Sequence, residues 1–221
     1  MKLNKLVYWL IAFLPLIVTL IVLPILPETI PAHYNISGVA NRWGSKYEML
    51  ILPISTVLFA VFLTFMSTVK QENKVNKNQK VLKVANYIFI IVFNALTFSF
   101  LYSAYSKTEN LYTSNFHMVK LLAVIIGITY IFLGNILPKC KQNRMVGIRT
   151  KWTLENEEVW YKTHRLGGVM IMIYGIISLV LSLTVLNDVI ALYTALGGFI
   201  AIAIALIIYS YVIYKKTTQI K

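Results

Sequence analysis

Acidic side chains are scarce in this chain of 221 residues: 8 Asp and Glu stand against 21 Lys and Arg, for a formal net charge of +13. Cysteine is represented once, by Cys140, so no disulfide can close within the chain. His33, His117 and His164 are far apart in sequence, and none has a second His, Cys or carboxylate at metal-ligand spacing. No H-E-x-x-H, C-x-x-C, G-x-S-x-G or P-loop motif occurs. These absences argue against hydrolytic, redox and nucleotide chemistry, so neither a catalytic residue nor a metal or cofactor is expected. Charge is also missing from the middles of six long apolar runs, which occupy most of the chain.

Those runs cover 7–26, 49–69, 84–105, 118–137, 169–186 and 189–214. Each is close to the roughly 20 residues that cross a hydrocarbon core. Six such runs cannot all form the centre of one globule of this size. The expected fold is an all-α membrane protein with six transmembrane helices, multi-pass in the plasma membrane. Residues 1–69 would hold the first two helices and a loop between them, and residues 70–221 the other four. The start resembles a signal peptide, with Lys2 and Lys5 before an apolar run. That run is too long and lacks an A-x-A site, so it reads as an uncleaved first helix, bent near Pro15.

Basic residues set the orientation. Of the 21, all except Arg42, Lys46, Lys107 and Lys120 fall in the tails or in the connections at 70–83 and 138–168, which gives an N-in/C-in topology. Glu28, Glu48, Glu109 and Asp188 balance the four outer cations. The excess charge therefore faces the cytosol, where anionic lipid headgroups are its partner. The bilayer is the expected contact, and no direct nucleic-acid partner is expected.

Two loops are expected to be structured: the first outer loop, from Pro27, and the second inner loop, from Gly134 to Gly168. The outer loop is rich in turn formers, and Trp43 is suited to the headgroup level. In the inner loop, Pro138 ends the fourth span. Thr153 is placed to cap a helix with Glu155, Glu157 and Glu158 in its first turn. Trp160, His164 and Gly168 then share one face of that helix, for packing on the fourth span or for contact with a partner. Cys140 lies between Lys139 and Lys141, a setting that can lower a thiol pKa, although a small residue at a helix end needs no chemistry. Within the spans, Thr194, Gly198, Ala201 and Ala205 form a small-residue face on the last helix, and Gly127 and Gly134 suggest another on the fourth. Asn86, Asn94 and Thr97 make the third span polar, for interhelical hydrogen bonds or for a transport path.

The outer loop carries Pro31-Ala-His33-Tyr-Asn35-Ile-Ser-Gly38, followed by Trp43-Gly44-Ser45-Lys46. The inner loop carries Gly134-Asn135, Asn143-Arg144-Met-Val-Gly147-Ile-Arg149-Thr150, Thr153-Leu154, Val159-Trp160 and Thr163-His164-Arg165. In their order and in the six-span layout these motifs resemble the SdpI family of bacterial immunity proteins. The resemblance implies protection against a secreted, membrane-active peptide toxin. It also implies a receptor role, in which a small cytosolic winged-helix repressor is captured at the membrane. On that reading His33, Asn35, Gly38 and Trp43 sense the toxin. Asn143, Arg144, Gly147, Arg149, Thr150, Thr153, Trp160 and His164 signal inward or hold the partner. A small peptide or lipid exporter using the polar third span is the alternative. An enzyme built on His164 with Glu157 or Glu158 lacks a second catalytic group.

Overall fold

The computed structural model describes residues 2–35, 37–68, 78–112, 117–144, 146–184 and 187–219. Most of the connector expected at 70–83 lies outside those residues, as do the expected span ends at 69 and 185–186. The helices are α1 (Lys2–Val22), α2 (Ile51–Thr68), α3 (Gln79–Tyr105), α4 (Met118–Ile136), α5 (Lys151–Glu155), α6 (Glu157–Thr184) and α7 (Asp188–Gln219). All but the short α5 are long and apolar enough to cross a membrane. Their outward faces carry Leu10, Ile17, Phe62, Ile177 and Ile204, each about half exposed or more. So much exposed apolar surface is a lipid-facing surface. The protein is a multi-pass membrane protein. The all-helical expectation misses one element, a two-stranded antiparallel hairpin of β1 (Thr29–Tyr34) and β2 (Ala40–Ser45).

The chain divides into two compact units, Met1–Thr68 with Asn86–Leu122, and Val69–Ala85 with Ala123–Lys221. In the first, Ala12, Ala60 and Ile90 make a small buried core, and small residues here let backbones approach. Pro15 lies inside α1 and has no N–H to give to the carbonyl of Ile11. The Asn94 side chain supplies the missing donor: its Nδ2 reaches Ile11 O at 3.2 Å and Ile90 O at 2.8 Å. Asn94 is thus an interhelical hydrogen-bond donor. Its Oδ1 is buried without a partner among the described residues, so its contribution rests on the Nδ2 alone.

Replacing Asn94 with Leu should therefore destabilise the protein by about 1–3 kcal/mol, the usual cost of orphaning a buried polar group. Pro15→Ala restores the backbone donor and should suppress most of that loss. Thermal unfolding of the two single variants and the double variant checks this, and strictly additive effects would show that Ile11 O is not the link.

In the second unit α4 and α6 meet at glycines. A Cβ on Gly134 would stand 2.6 Å from Gly168 O, and one on Gly175 would stand 2.8 Å from Gly127 O. The spacing is seven residues on each helix and runs in opposite directions, so the two contacts are successive rungs of one antiparallel seam. The face expected on the fourth span is present. The face expected on α7 is not the one used: Ala201 and Ala205 are exposed, and the fully buried alanines are Ala191 and Ala195, which pack on Ala123. Of the expected set, Gly198 does pack, under the ring of Tyr174.

Candidate functional site

The hairpin joins α1 to α2. Its register pairs Thr29 with Ser45, Ile30 with Gly44, Pro31 with Trp43, His33 with Arg42 and Tyr34 with Ala40, with an irregularity around His33. The base is tied twice. The Lys46 N–H donates to Glu28 O at 3.1 Å, and Lys46 Nζ, its side chain largely buried, reaches Glu28 Oε1 at 2.8 Å.

At the tip, Asn35 Oδ1 accepts the N–H groups of Ser37 and Val39, both at 3.0 Å, which is how a short amide side chain builds a turn. Gly38 has φ +69, and a Cβ there would enter the Tyr112 ring. A third strip of chain borders the tip: Ala40 N–H donates to Glu109 O at 2.7 Å, and Leu111 N–H to Gly38 O at 2.9 Å. Tyr34 reaches the Ser103 hydroxyl and donates to Thr108 O at 2.8 Å. Burial raises the Tyr34 phenol above its ordinary pKa, against the pull of the Ser103 bond.

Asn35 and Gly38 therefore shape the hairpin, whereas His33 and Trp43 are exposed on it. His33 Nδ1 donates to Asn41 Oδ1 at 2.6 Å. Arg42 and Glu48 escape a sequence reading. The guanidinium spans both carboxylate oxygens, at 3.1 and 2.8 Å, and donates to Ala32 O at 3.3 Å. The pair edges a cavity of about 210 Å³ floored by Met49, Leu52, Thr97 and Phe100. Their opposite charges were the available signal, but only the hairpin register brings them together.

The second loop is held from several sides. Asn78 clamps the Lys141 backbone, giving Nδ2 to its O at 3.0 Å and taking its N–H at 2.8 Å. Trp160 Nε1 donates to Cys140 O at 2.8 Å. Asn143 closes a turn, accepting the Val146 N–H at 2.8 Å and donating to Lys141 O at 2.7 Å. Gly147 has φ +117, and a Cβ there would run into His164 Nε2 and stand 3.1 Å from the Trp160 ring.

His164 stacks on Trp160 at 4.0 Å and is itself buried. Its Nδ1 donates to Trp160 O at 2.8 Å, and its Nε2 accepts the Ile148 N–H at 3.0 Å. One tautomer satisfies both bonds, the neutral ring protonated on Nδ1. Neither nitrogen meets Glu157 or Glu158, and Glu158 pairs with Lys162 at 2.7 Å.

One local expectation changes. Thr153 is not the N-cap. Thr150 caps α5, with Thr153 in the third position returning the bond to the Thr150 N–H. The chain then breaks at Asn156, whose Oδ1 takes the N–H groups of Glu158 and Val159 and starts α6. A second cap exists because extended backbone at Asn156 separates the two helices. Cys140 matches the reading that needs no chemistry. It is buried, and burial pushes its thiol pKa up against a smaller lowering by Asn143, so the flanking lysines do not activate it.

Packing of Trp160 and Gly168 on the end of α4 and its exit matches the packing alternative, with Gly168 against Pro138 and Gly134, while His164 packs on the turn at Gly147 and Ile148. Among the side chains not absorbed into this framework are Arg144, Arg149 and Arg165, all exposed and without an ion pair among the described residues. Arg149 Nη1 donates to Arg144 O at 2.8 Å.

Residues 139–213 match the model of the SdpI/YfhL protein family, and residues 10–57 match a domain of unknown function, DUF1648. The second loop from residue 139 onward lies in the first match, and the hairpin lies in the other. The chain is 29% identical over 173 residues to Immunity protein SdpI of Bacillus subtilis (strain 168), covering 78% of each chain. No solved structure matches. The resemblance expected from the loop motifs is present.

Proposed function

This chain resembles the SdpI family of bacterial immunity proteins, and from that premise we propose that it protects the cell that makes it from a secreted, membrane-active peptide toxin. The observation that carries the reading is the braced hairpin with its Arg42–Glu48 pair over an apolar-floored cavity. A peptide that inserts into membranes presents both charge and apolar side chains, and this rim and floor offer a counterpart to each. On the N-in topology expected from the positive-inside rule, the hairpin faces outward, where a secreted toxin arrives.

Trp43 and Arg42 are the side chains we assign to toxin contact, with His33 beside them and Asn35 and Gly38 holding the turn. Capture of a cytosolic repressor rests on the family resemblance alone; Arg144 and Arg165 are the side chains available to it. Export has no comparable support, because the Asn94 Nδ2 is spent on two backbone carbonyls.

The test is complementation of Bacillus subtilis cells lacking Immunity protein SdpI. The unmodified chain should restore survival, and the Arg42→Ala/Trp43→Ala double variant should lose at least roughly tenfold of it at unchanged membrane level, as expected if toxin affinity falls by a similar order. Full protection by the double variant would remove the hairpin from the mechanism. No protection by the unmodified chain would remove this toxin class.

A further inference from the structure

A second cavity, of about 270 Å³, lies between α6 and α7 beneath residues 148–150. Ile171, Phe199, Ile202 and Leu206 line it, and Arg149 and Thr150 stand at its mouth. Nothing in the hairpin reading uses it. Its depth is marked by its neighbours. Trp152 packs against Tyr211 at 5.0 Å, and Lys215 Nζ lies 4.9 Å from the Tyr211 ring. Aromatic rings with a lysine at a helix end mark the headgroup level of a bilayer. Thr150 is tied to α7 at this level, its hydroxyl 3.1 Å from that of Ser210. The cavity therefore runs from the headgroup level into the hydrocarbon.

Arg149 makes the mouth selective. One of its N–H groups is held by Arg144 O, which orients the guanidinium, and no carboxylate among the described residues neutralises it. A planar guanidinium with donors to spare matches a phosphate, with two parallel hydrogen bonds. A choline headgroup adds a cation beside it, whereas a glycerol headgroup leaves the phosphate charge uncompensated. Basic pockets between membrane helices are suited to such anionic headgroups.

We propose that this groove holds an acyl chain of an anionic phospholipid, with the headgroup phosphate on Arg149. The site stands apart from the immunity reading, since no toxin enters its test. Full-length protein would be reconstituted in nanodiscs of phosphatidylcholine with a minor fraction of phosphatidylglycerol, and retained lipid read by native mass spectrometry. The expected result is retention of phosphatidylglycerol over phosphatidylcholine by about tenfold or more after correction for composition, equivalent to about 1.4 kcal/mol. Arg149→Gln should bring the two lipids to parity. Lys216→Gln, which removes a cation from the last turn of α7, should keep the preference. Ile202→Trp should fill the groove and lower retention of both lipids. An Arg149→Gln variant that keeps the preference overturns the proposal. So does an equal loss in Lys216→Gln, which would trace the preference to diffuse charge. Arg149 is exposed, so its variant folds independently of the result.

Discussion

Gly134→Leu is expected to leave little or no folded protein. The new Cβ would lie 2.6 Å from both Gly168 O and Met172 N, which are backbone atoms of the facing helix and cannot rotate away. Relief requires the helices to separate, and close approach is what holds helices together in lipid, where no hydrophobic drive favours their association. Overpacking alone costs about 1–3 kcal/mol, and a branched side chain on a backbone-to-backbone contact falls at or above the top of that range.

The seam also predicts an order among alanine variants. Gly134→Ala and Gly168→Ala should be worst and Gly175→Ala intermediate. Gly127→Ala should be mild, because its contacts begin at 3.1 Å. Gly197 faces open space, so Gly197→Ala should be neutral or stabilising by about 0.5–1 kcal/mol through helix propensity. Melting temperatures in one detergent, read with size-exclusion profiles, check the order. If Gly197→Ala proved as damaging as Gly134→Ala, the seam would not be what holds α4 to α6.

Gly147→Ala carries the second large effect, outside the membrane helices. Alanine at φ +117 is strained by about 1–3 kcal/mol. Its methyl also displaces His164, which breaks the Ile148 N–H bond and leaves a buried donor unpaired at about 1–3 kcal/mol more. The loop should open locally while the helices stay packed. Trypsin cleavage after Arg144 and Arg149 should then accelerate by at least about tenfold, since 1.4 kcal/mol is a factor of ten. Adding His164→Ala removes the collision but not the strain, so the double variant should fall short of the sum of the singles. Unchanged cleavage in Gly147→Ala would mean that the histidine does not hold this turn.

Much of this architecture is readable from the residues. Length and apolarity mark six helices, Pro138 marks the exit of α4, and Gly127 and Gly134 mark a close contact. Other features were hidden for physical reasons. The hairpin strands Thr29–Tyr34 and Ala40–Ser45 contain proline and glycine and lack clean alternation, so no period-two signal distinguishes them from a loop. On α7 the expected and packed faces differ because lipid and protein interior are equally apolar, and residue size alone does not separate Ala201 from Ala195. Thr153 and Asn156 are both competent caps, and only the extended backbone at 156 decides between them. In the inner motif, conspicuous side chains such as Trp160 and His164 turn out to be scaffold. A sequence motif does not distinguish residues that hold a loop in shape from those that reach beyond it.

The chain enters and leaves the hairpin through one point, where Lys46 is fastened to Glu28 by both backbone and side chain. Tension on the Gly38 end travels down two parallel cords to a shared knot, so it loads the ends of α1 and α2 together instead of peeling one from the other. Lys46→Met would remove the side-chain half of that knot and leave the single backbone bond to carry the common pull.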